Sequence, residues 1–214
     1  MQTRGIYRNY IKRIMDFICS LLALIILSPV LLIIALLVRI KLGSPVLFKQ
    51  QRAGLHEKVF EMFKFRSMTN ETDDNGKLLP DEIRLTNFGK VLRATSIDEL
   101  PSLLNILKGD MSIIGPRALP VHYIPYYTEE EHHRHDVRPG LSGLAQVSGR
   151  NYVSWEDKFR MDLQYISNIT FLKDVKLILR TVAVVLKHDN IDTGSFIEKD
   201  GVIYRPLDVE RGKK

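Results

Sequence analysis

The stretch FICSLLALIILSPVLLIIALLV, residues 17–38, decides how the chain is organised, because it contains no charged side chain. At about 1.5 Å of rise per residue, such a run is long enough as a helix to cross a bilayer core. Membrane contact follows. A cleaved signal peptide is not expected, since the run exceeds a usual signal core and Arg39 and Lys41, not a small-residue cleavage site, come next. Ser28 and Pro29 stand mid-run. Proline withholds a backbone donor and clashes with the preceding turn, so a kink is expected, and the neighbouring serine can bond a freed carbonyl. Basic residues flank both ends: Arg4, Arg8, Lys12 and Arg13 before, Arg39, Lys41, Lys49 and Arg52 after. Positive charge prefers the cytoplasmic side. The symmetric flank therefore suits a helix that enters, bends and returns to one face; a kinked spanning helix is the alternative, and these residues alone do not separate the two.

The remainder of the 214 residues fits one compact unit. A net charge of +6 and a pI near 9.4 favour an anionic partner, whether phospholipid surface, nucleic acid or phosphorylated substrate. The single cysteine, Cys19, lies in the apolar run, which excludes an intramolecular disulfide framework. Gly43-Ser44-Pro45 reads as a turn and Val46-Leu47-Phe48 as a short strand, followed by a polar loop over 51–57. Residues 59–68 alternate, with Phe63 and Phe65 on one face and Lys64 and Arg66 on the other. Two cations on one strand face can hold a diphosphate, or simply solvate an edge. Residues 69–83 read as an acidic surface loop, and 84–95 as a short helix carrying Arg84, Lys90 and Arg93. Leu100, Leu103, Leu104 and Leu107 predict an amphipathic helix over 98–108, closed by Gly109. Residues 138–151 read as a loop. Trp155, Phe159, Leu163 and Ile166 mark a further helix. The helix over 171–187 fits either the membrane interface or a core, and the tail after His188 lacks periodicity.

Asp98-Glu99 stands ahead of the leucine-patterned helix, with Pro101 in its first turn. The partial positive charge of a helix start would hold both carboxylates ionised, fit to attack phosphorus or bind a metal. Capping by Ser96 or Asp98, or a Ser96–Glu99 capping box, explains the same residues without any function. Arg93 before the pair and Gly115-Pro116-Arg117 after it supply guanidinium groups that can converge on phosphates and lower the carboxylate pKa values further. The run 129–136, with His132, His133 and His135, lacks a ligand spacing and reads as a solvated face. Nucleophile-elbow, zinc-helix, Walker and dinucleotide-loop motifs are all missing, which weakens hydrolase, protease, kinase and dehydrogenase readings.

Together KRIMDF (12–17), the central SP, FEMFKFRSM (60–68), LRATSIDELPSLLNILKGDMSIIGPR (92–117) and VRPGLSGLAQVSGRN (137–151) resemble the small monotopic phosphoglycosyl transferases, or bacterial sugar transferases. The resemblance implies an α+β, mostly helical fold. Residues 1–41 would form a re-entrant membrane helix broken at Ser28-Pro29, residues 42–188 a catalytic domain with interfacial helices and a small β element, and 189–214 a C-terminal tail. The protein would lie on the cytoplasmic face of the bacterial inner membrane. The implied reaction moves a phosphosugar from a UDP-sugar to polyprenyl (undecaprenyl) phosphate in the first membrane step of glycan assembly. Asp98 would be the nucleophile, forming an aspartyl-phosphosugar intermediate as UMP leaves, and Glu99 would help bind Mg2+. Lys64, Arg93, Arg117 and Arg150 would be substrate contacts. Membrane lipids and downstream glycosyltransferases become the expected partners, and nucleic acid does not. The sugar and the pathway, capsule or exopolysaccharide, are not legible. A membrane-anchored lipid-phosphate hydrolase acting through Asp98, or a scaffold in which the pair merely caps a helix, are the rival readings.

Overall fold

The computed structural model describes residues 5–149, 153–187, 197–199, 202–204 and 206–212. A π-helical stretch (Tyr7–Ile11) leads into α1 (Lys12–Leu42). Pro29 leaves the carbonyl of Ile25 without its backbone donor, and the Ser28 hydroxyl donates to that oxygen at 2.8 Å. This substitute bond lets α1 run through Pro29 without interruption, so the expected break at Ser28-Pro29 is not marked by a gap in the helix.

One stripe of α1 packs on the body along its whole length. Near the start, Asp16 accepts from the Ile113 amide (3.0 Å) and the Ser112 hydroxyl (2.6 Å). Arg13 donates to the carbonyls of Ile106 (2.6 Å) and Leu107 (2.9 Å). Ala23, Leu24 and Leu27 then meet the cluster around Ile106 and Met111, and Ile34, Val38 and Leu42 join Phe65 and Leu92. Each such aliphatic burial is worth roughly 1.5–3 kcal/mol. Lys12 pairs with Asp174 at 2.6 Å, so Lys12 and Arg13, expected as a basic flank, are structural ties. The opposite stripe, including Ile25, Ile26, Leu32, Ile33, Leu36 and Ile40, is exposed.

Next come β1 (Leu47–Ala53) and β2 (Val59–Phe65), an antiparallel hairpin in the register Leu47↔Phe65 to Ala53↔Val59. The expected loop over 51–57 is therefore shorter, because pairing with β2 draws residues 51–53 into the strand. α2 (Asp81–Arg84) and α3 (Asn87–Ala94) follow the acidic loop, with Thr86 capping α3 through the Gly89 amide at 3.1 Å. A 3-10 helix (Ile97–Ser102) continues into α4 (Leu103–Lys108), which ends at Gly109 in the left-handed region, φ 96°, as its sequence predicts.

β3 (Ser112–Ile114) leads through a 3-10 helix (Val121–Tyr126) and α5 (Glu129–His132) to β4 (Gly140–Ser142) and α6 (Leu144–Val147). β4 pairs in parallel with β3. Residues 138–151 were expected as loop; elements of three and four residues carry no periodicity, and here the partner strand creates them. α7 (Trp155–Ser167) and α8 (Phe171–Lys187) match the predicted helices. On α8, Asp174 and Leu177 are buried while Leu172, Leu179, Val182 and Leu186 are exposed. A hairpin of β5 (Ile197–Lys199) and β6 (Val202–Tyr204) precedes α9 (Leu207–Arg211). The tail is not featureless: Leu207 is fully buried and Arg211 clamps Glu131 through two bonds of 2.6 and 2.8 Å.

Candidate active site

α3 hands the chain to the 3-10 helix through Ser96, a non-glycine residue at φ 56°. That left-handed turn costs of order 1 kcal/mol and redirects the chain so that Asp98 and Glu99 face inward. What fixes the pair from below is polar. Ser102 and Asn105, both fully buried, bond the backbone of β2: the Ser102 hydroxyl donates to Phe63 O (2.7 Å), Asn105 Oδ1 accepts from Phe63 N (2.9 Å), and Asn105 Nδ2 donates to Glu61 O (2.7 Å). These side chains stand in for a third strand and bring Lys64 opposite Glu99. Sequence reasoning passed over both. Their signal was a polar residue at core positions among the leucines of LPSLLNIL.

Glu99 Oε1 accepts from Lys64 Nζ at 2.7 Å and from Arg117 Nη2 at 3.1 Å. Burial alone would raise its pKa, but Arg117 and Lys64 outweigh burial and hold it near about 2. Asp98 behaves oppositely. It is 7% exposed and accepts no hydrogen bond among the described residues. Burial first, then the charge of Glu99, push its pKa up to about 6 against the pull of Lys64, Arg93 and Arg117. The expectation that the nearby guanidinium groups lower both carboxylate pKa values is corrected for Asp98: desolvation exceeds the attraction of the cations. Capping is corrected too, since neither Ser96 nor Asp98 makes a side-chain cap on this helix.

The pair opens on a cavity of about 1030 Å³ lined also by Lys64, Arg66, Arg93, Arg117 and Lys158. Three of the four expected contacts, Lys64, Arg93 and Arg117, thus meet the dyad here or at its wall. Arg93 is oriented by the Ser67 hydroxyl at 2.9 Å, and Arg66 donates to Ser44 O at 2.8 Å. Arg150 lies outside the described residues. Behind Arg117 stands Arg134, buried against Tyr127 and Phe159, which donates to Arg117 O (2.7 Å) and pairs with buried Asp162 (2.9 Å). The run 129–136 is therefore not a solvated face. Glu131, Arg134 and His135 are buried, and the histidines go to separate partners: His132 to Glu57, His133 to Asp136, His135 to Gly54 O.

A buried carboxylate faces a group of cations here, and comparison with known proteins gives the family. The family model for bacterial sugar transferases matches residues 7–188. The chain belongs to that family. It is a sugar-phosphate transferase, and its exposed apolar helix makes it membrane-associated. It is 50% identical to the sugar transferase EpsL of Bacillus subtilis (strain 168) over 181 residues, 85% of this chain and 90% of that protein. It is 38% identical to the UDP-glucose:undecaprenyl-phosphate glucose-1-phosphate transferase of Caulobacter vibrioides, over 84% of this chain and 71% of that protein. The undecaprenyl-phosphate galactose phosphotransferase of Salmonella typhimurium is 35% identical, over 85% of this chain but 41% of that longer relative.

Proposed function

We propose that this sugar transferase moves a phosphosugar from a UDP-sugar to undecaprenyl phosphate through Asp98, at the cytoplasmic face of the inner membrane. The observation that carries the reading is the contrast within the dyad: Asp98 is desolvated and accepts no hydrogen bond among the described residues, whereas Glu99 is clamped by two cations. A carboxylate with a pKa of about 6 is still mostly ionised at neutral pH, and a poorly hydrated one is the better nucleophile. Its oxygen attacks the sugar-bearing phosphorus. The bridging P–O bond breaks and UMP departs with the electron pair. An oxygen of the lipid phosphate then attacks the same phosphorus, the Asp98–phosphorus bond breaks, and the carboxylate is restored. The sugar–oxygen bond is never cut, so anomeric configuration is retained. Lys64, Arg93 and Arg117 orient the diphosphate and neutralise charge that builds on it.

Mg2+ fits this site. Glu99 is ionised and lines the cavity, and its Oε2 accepts no hydrogen bond among the described residues, which leaves one hard oxygen donor to spare. Magnesium commonly takes one or two carboxylates, with phosphate oxygens and water completing its shell. Bound there, it would supply Lewis-acid neutralisation of the diphosphate.

What supports re-entry is that both ends of α1 hold the same body: Lys12 pairs with Asp174 at 2.6 Å, while Val38 and Leu42 pack with Phe65 and Leu92. A helix so fixed keeps both ends on the side of the membrane where the body lies. The decisive experiment incubates the protein with a panel of UDP-sugars and Mg2+ but no lipid, then measures intact mass. A phosphosugar adduct on Asp98 with stoichiometric UMP is expected for the correct donor. Full turnover with lipid present, but no adduct trapped by rapid quenching, would overturn the covalent route.

A further inference from the structure

Arg52, near the end of β1, and Lys158, on α7, line the same cavity. Neither has an ion-pair partner among the described residues. Arg52 Nη2 donates to neutral Gln50 at 2.5 Å, and its Nε is buried without any partner. Lys158 Nζ lies 4.4 Å from the Trp155 ring centroid, with Glu210 acting at longer range. Both are discharged most by burial and next by the nearby charge of Arg117, down to about 10 for Arg52 and about 8 for Lys158. The carboxylate bonded to Arg117, Glu99, is already shared with Lys64. Three cations therefore converge on one volume whose carboxylates are otherwise committed: Glu99 is shared between Arg117 and Lys64, Asp162 pairs with Arg134, Asp81 with Arg84, and Asp98 bonds none of the three. Holding like charges together in a half-buried site is costly, and an anionic ligand offsets that cost.

The position of these cations selects the ligand. Arg52 lies within electrostatic reach of Tyr123 and Tyr127, and Lys158 adjoins Phe159. Tyr123, Tyr127 and Phe159 belong to a core cluster with no residue from α1 or α8, the helices that expose apolar faces. This wall is thus the one away from the lipid. We propose that Arg52, Lys158 and Arg117 form a pocket for the phosphate of the nucleotide half of the donor, the phosphate that leaves. This rests on the cavity being a nucleotide-sugar site. There the three cations hold the leaving phosphate on the far side of the sugar-bearing phosphorus from Asp98, and they stabilise the charge it gains as the bridging bond breaks.

The test uses the full-length protein and UMP as the probe. Arg52→Met and Lys158→Met should each weaken UMP binding by about 10-fold or more, the usual worth of a charge-assisted phosphate contact. The kcat/KM for polyprenyl phosphate should stay at the wild-type value, and Arg52→Lys and Lys158→Arg should retain part of the UMP affinity. The thermal midpoint of the unliganded Met variants should not fall, because the substitution replaces a half-buried cation that has no ion-pair partner among the described residues by an apolar side chain of similar bulk. Wild-type UMP affinity in variants that still form the Asp98 adduct would overturn the pocket while leaving the covalent reading intact. A greater loss toward polyprenyl phosphate than toward UMP would overturn it in favour of an acceptor site. A lowered midpoint without selective loss of UMP would make both residues structural. Wild-type protein that neither binds UMP nor forms an adduct would instead remove the nucleotide-sugar reading itself.

Discussion

Replacing Asp98 by asparagine should abolish the adduct and at the same time make the protein more stable. Ionised Asp98 is held where burial, and then Glu99, disfavour its charge, with a pKa of about 6 against 3.8 for an ordinary aspartate. At 1.36 kcal/mol per tenfold change in proton affinity, the folded state bears a penalty of roughly 3 kcal/mol when the group is charged. Asparagine keeps the shape and removes that penalty. The sign follows from linkage: the folded pKa is raised, so wild-type stability is lost as pH rises from the unfolded value through about 6. The gain from Asp98→Asn should therefore be roughly 3 kcal/mol at pH 8, about half that at pH 5, and close to nothing below pH ~3.8. For a chain of this size, the pH 8 gain corresponds to a rise of about 6–12 °C in thermal midpoint. The assay is a paired thermal melt of both proteins in the same detergent at pH 8 and pH 5, with adduct formation followed in parallel. An Asn variant no more stable than wild type at pH 8, or a gain equal at both pH values, would refute the reasoning. The same pKa predicts that adduct formation by the wild type rises with pH through about 6 and then levels.

Glu99→Gln should act with the opposite sign, because it strands Lys64 and Arg117: a loss of roughly 3 kcal/mol in melts at pH 7. The folded pKa of Glu99 is depressed to about 2, so the stability it contributes is present above pH ~4.5 and the deficit of the Gln variant shrinks only as pH falls below that. Arg134→Met should cost roughly 3–5 kcal/mol by leaving buried Asp162 unpaired. Adding Asp162→Leu should recover most of the melt but not the turnover, since Arg117 O still lacks its donor; recovery of both would remove Arg134 from the support of the site. Gly89→Ala places a methyl 1.8 Å from Ser67 O, so α3 must shift, with an expected loss of about 2 kcal/mol or more and lower turnover through the displaced Arg93–Ser67 contact. With Cys19→Ser as background, Ile6→Cys and Ile40→Cys, both well exposed, should react with an impermeant thiol reagent from the cytoplasmic side alone. Reaction from opposite sides would make α1 a spanning helix.

Long periodic segments were legible because their faces are written locally. The apolar run became α1, the aromatic spacing of 155–166 became α7, and glycine at 109 closed α4. Short elements were not, since β4 is three residues of Gly-Leu-Ser whose strand character exists only beside β3. The dyad shows the same division. Local physics assigned Asp98 and Glu99 to a helix start and treated them alike; the family motifs separated their roles. Their different charge states depend on the assembled fold, Lys64 and Arg117 for Glu99 and burial without a donor among the described residues for Asp98. Arg52, Lys158 and Arg134 carried no local sign of a role, because a cation becomes informative only once its partners, or their lack, are known; Ser102 and Asn105 showed only as polar residues among leucines, with their β2 partners hidden. By itself, then, the sequence determined the membrane helix, the amphipathic helices and the residue types gathered for phosphate chemistry, since periodicity and composition act over a few turns of chain. The tertiary structure decided which carboxylate is desolvated, which cations remain unpaired and which helix face meets the body, because burial and charge pairing are properties of assembled neighbours.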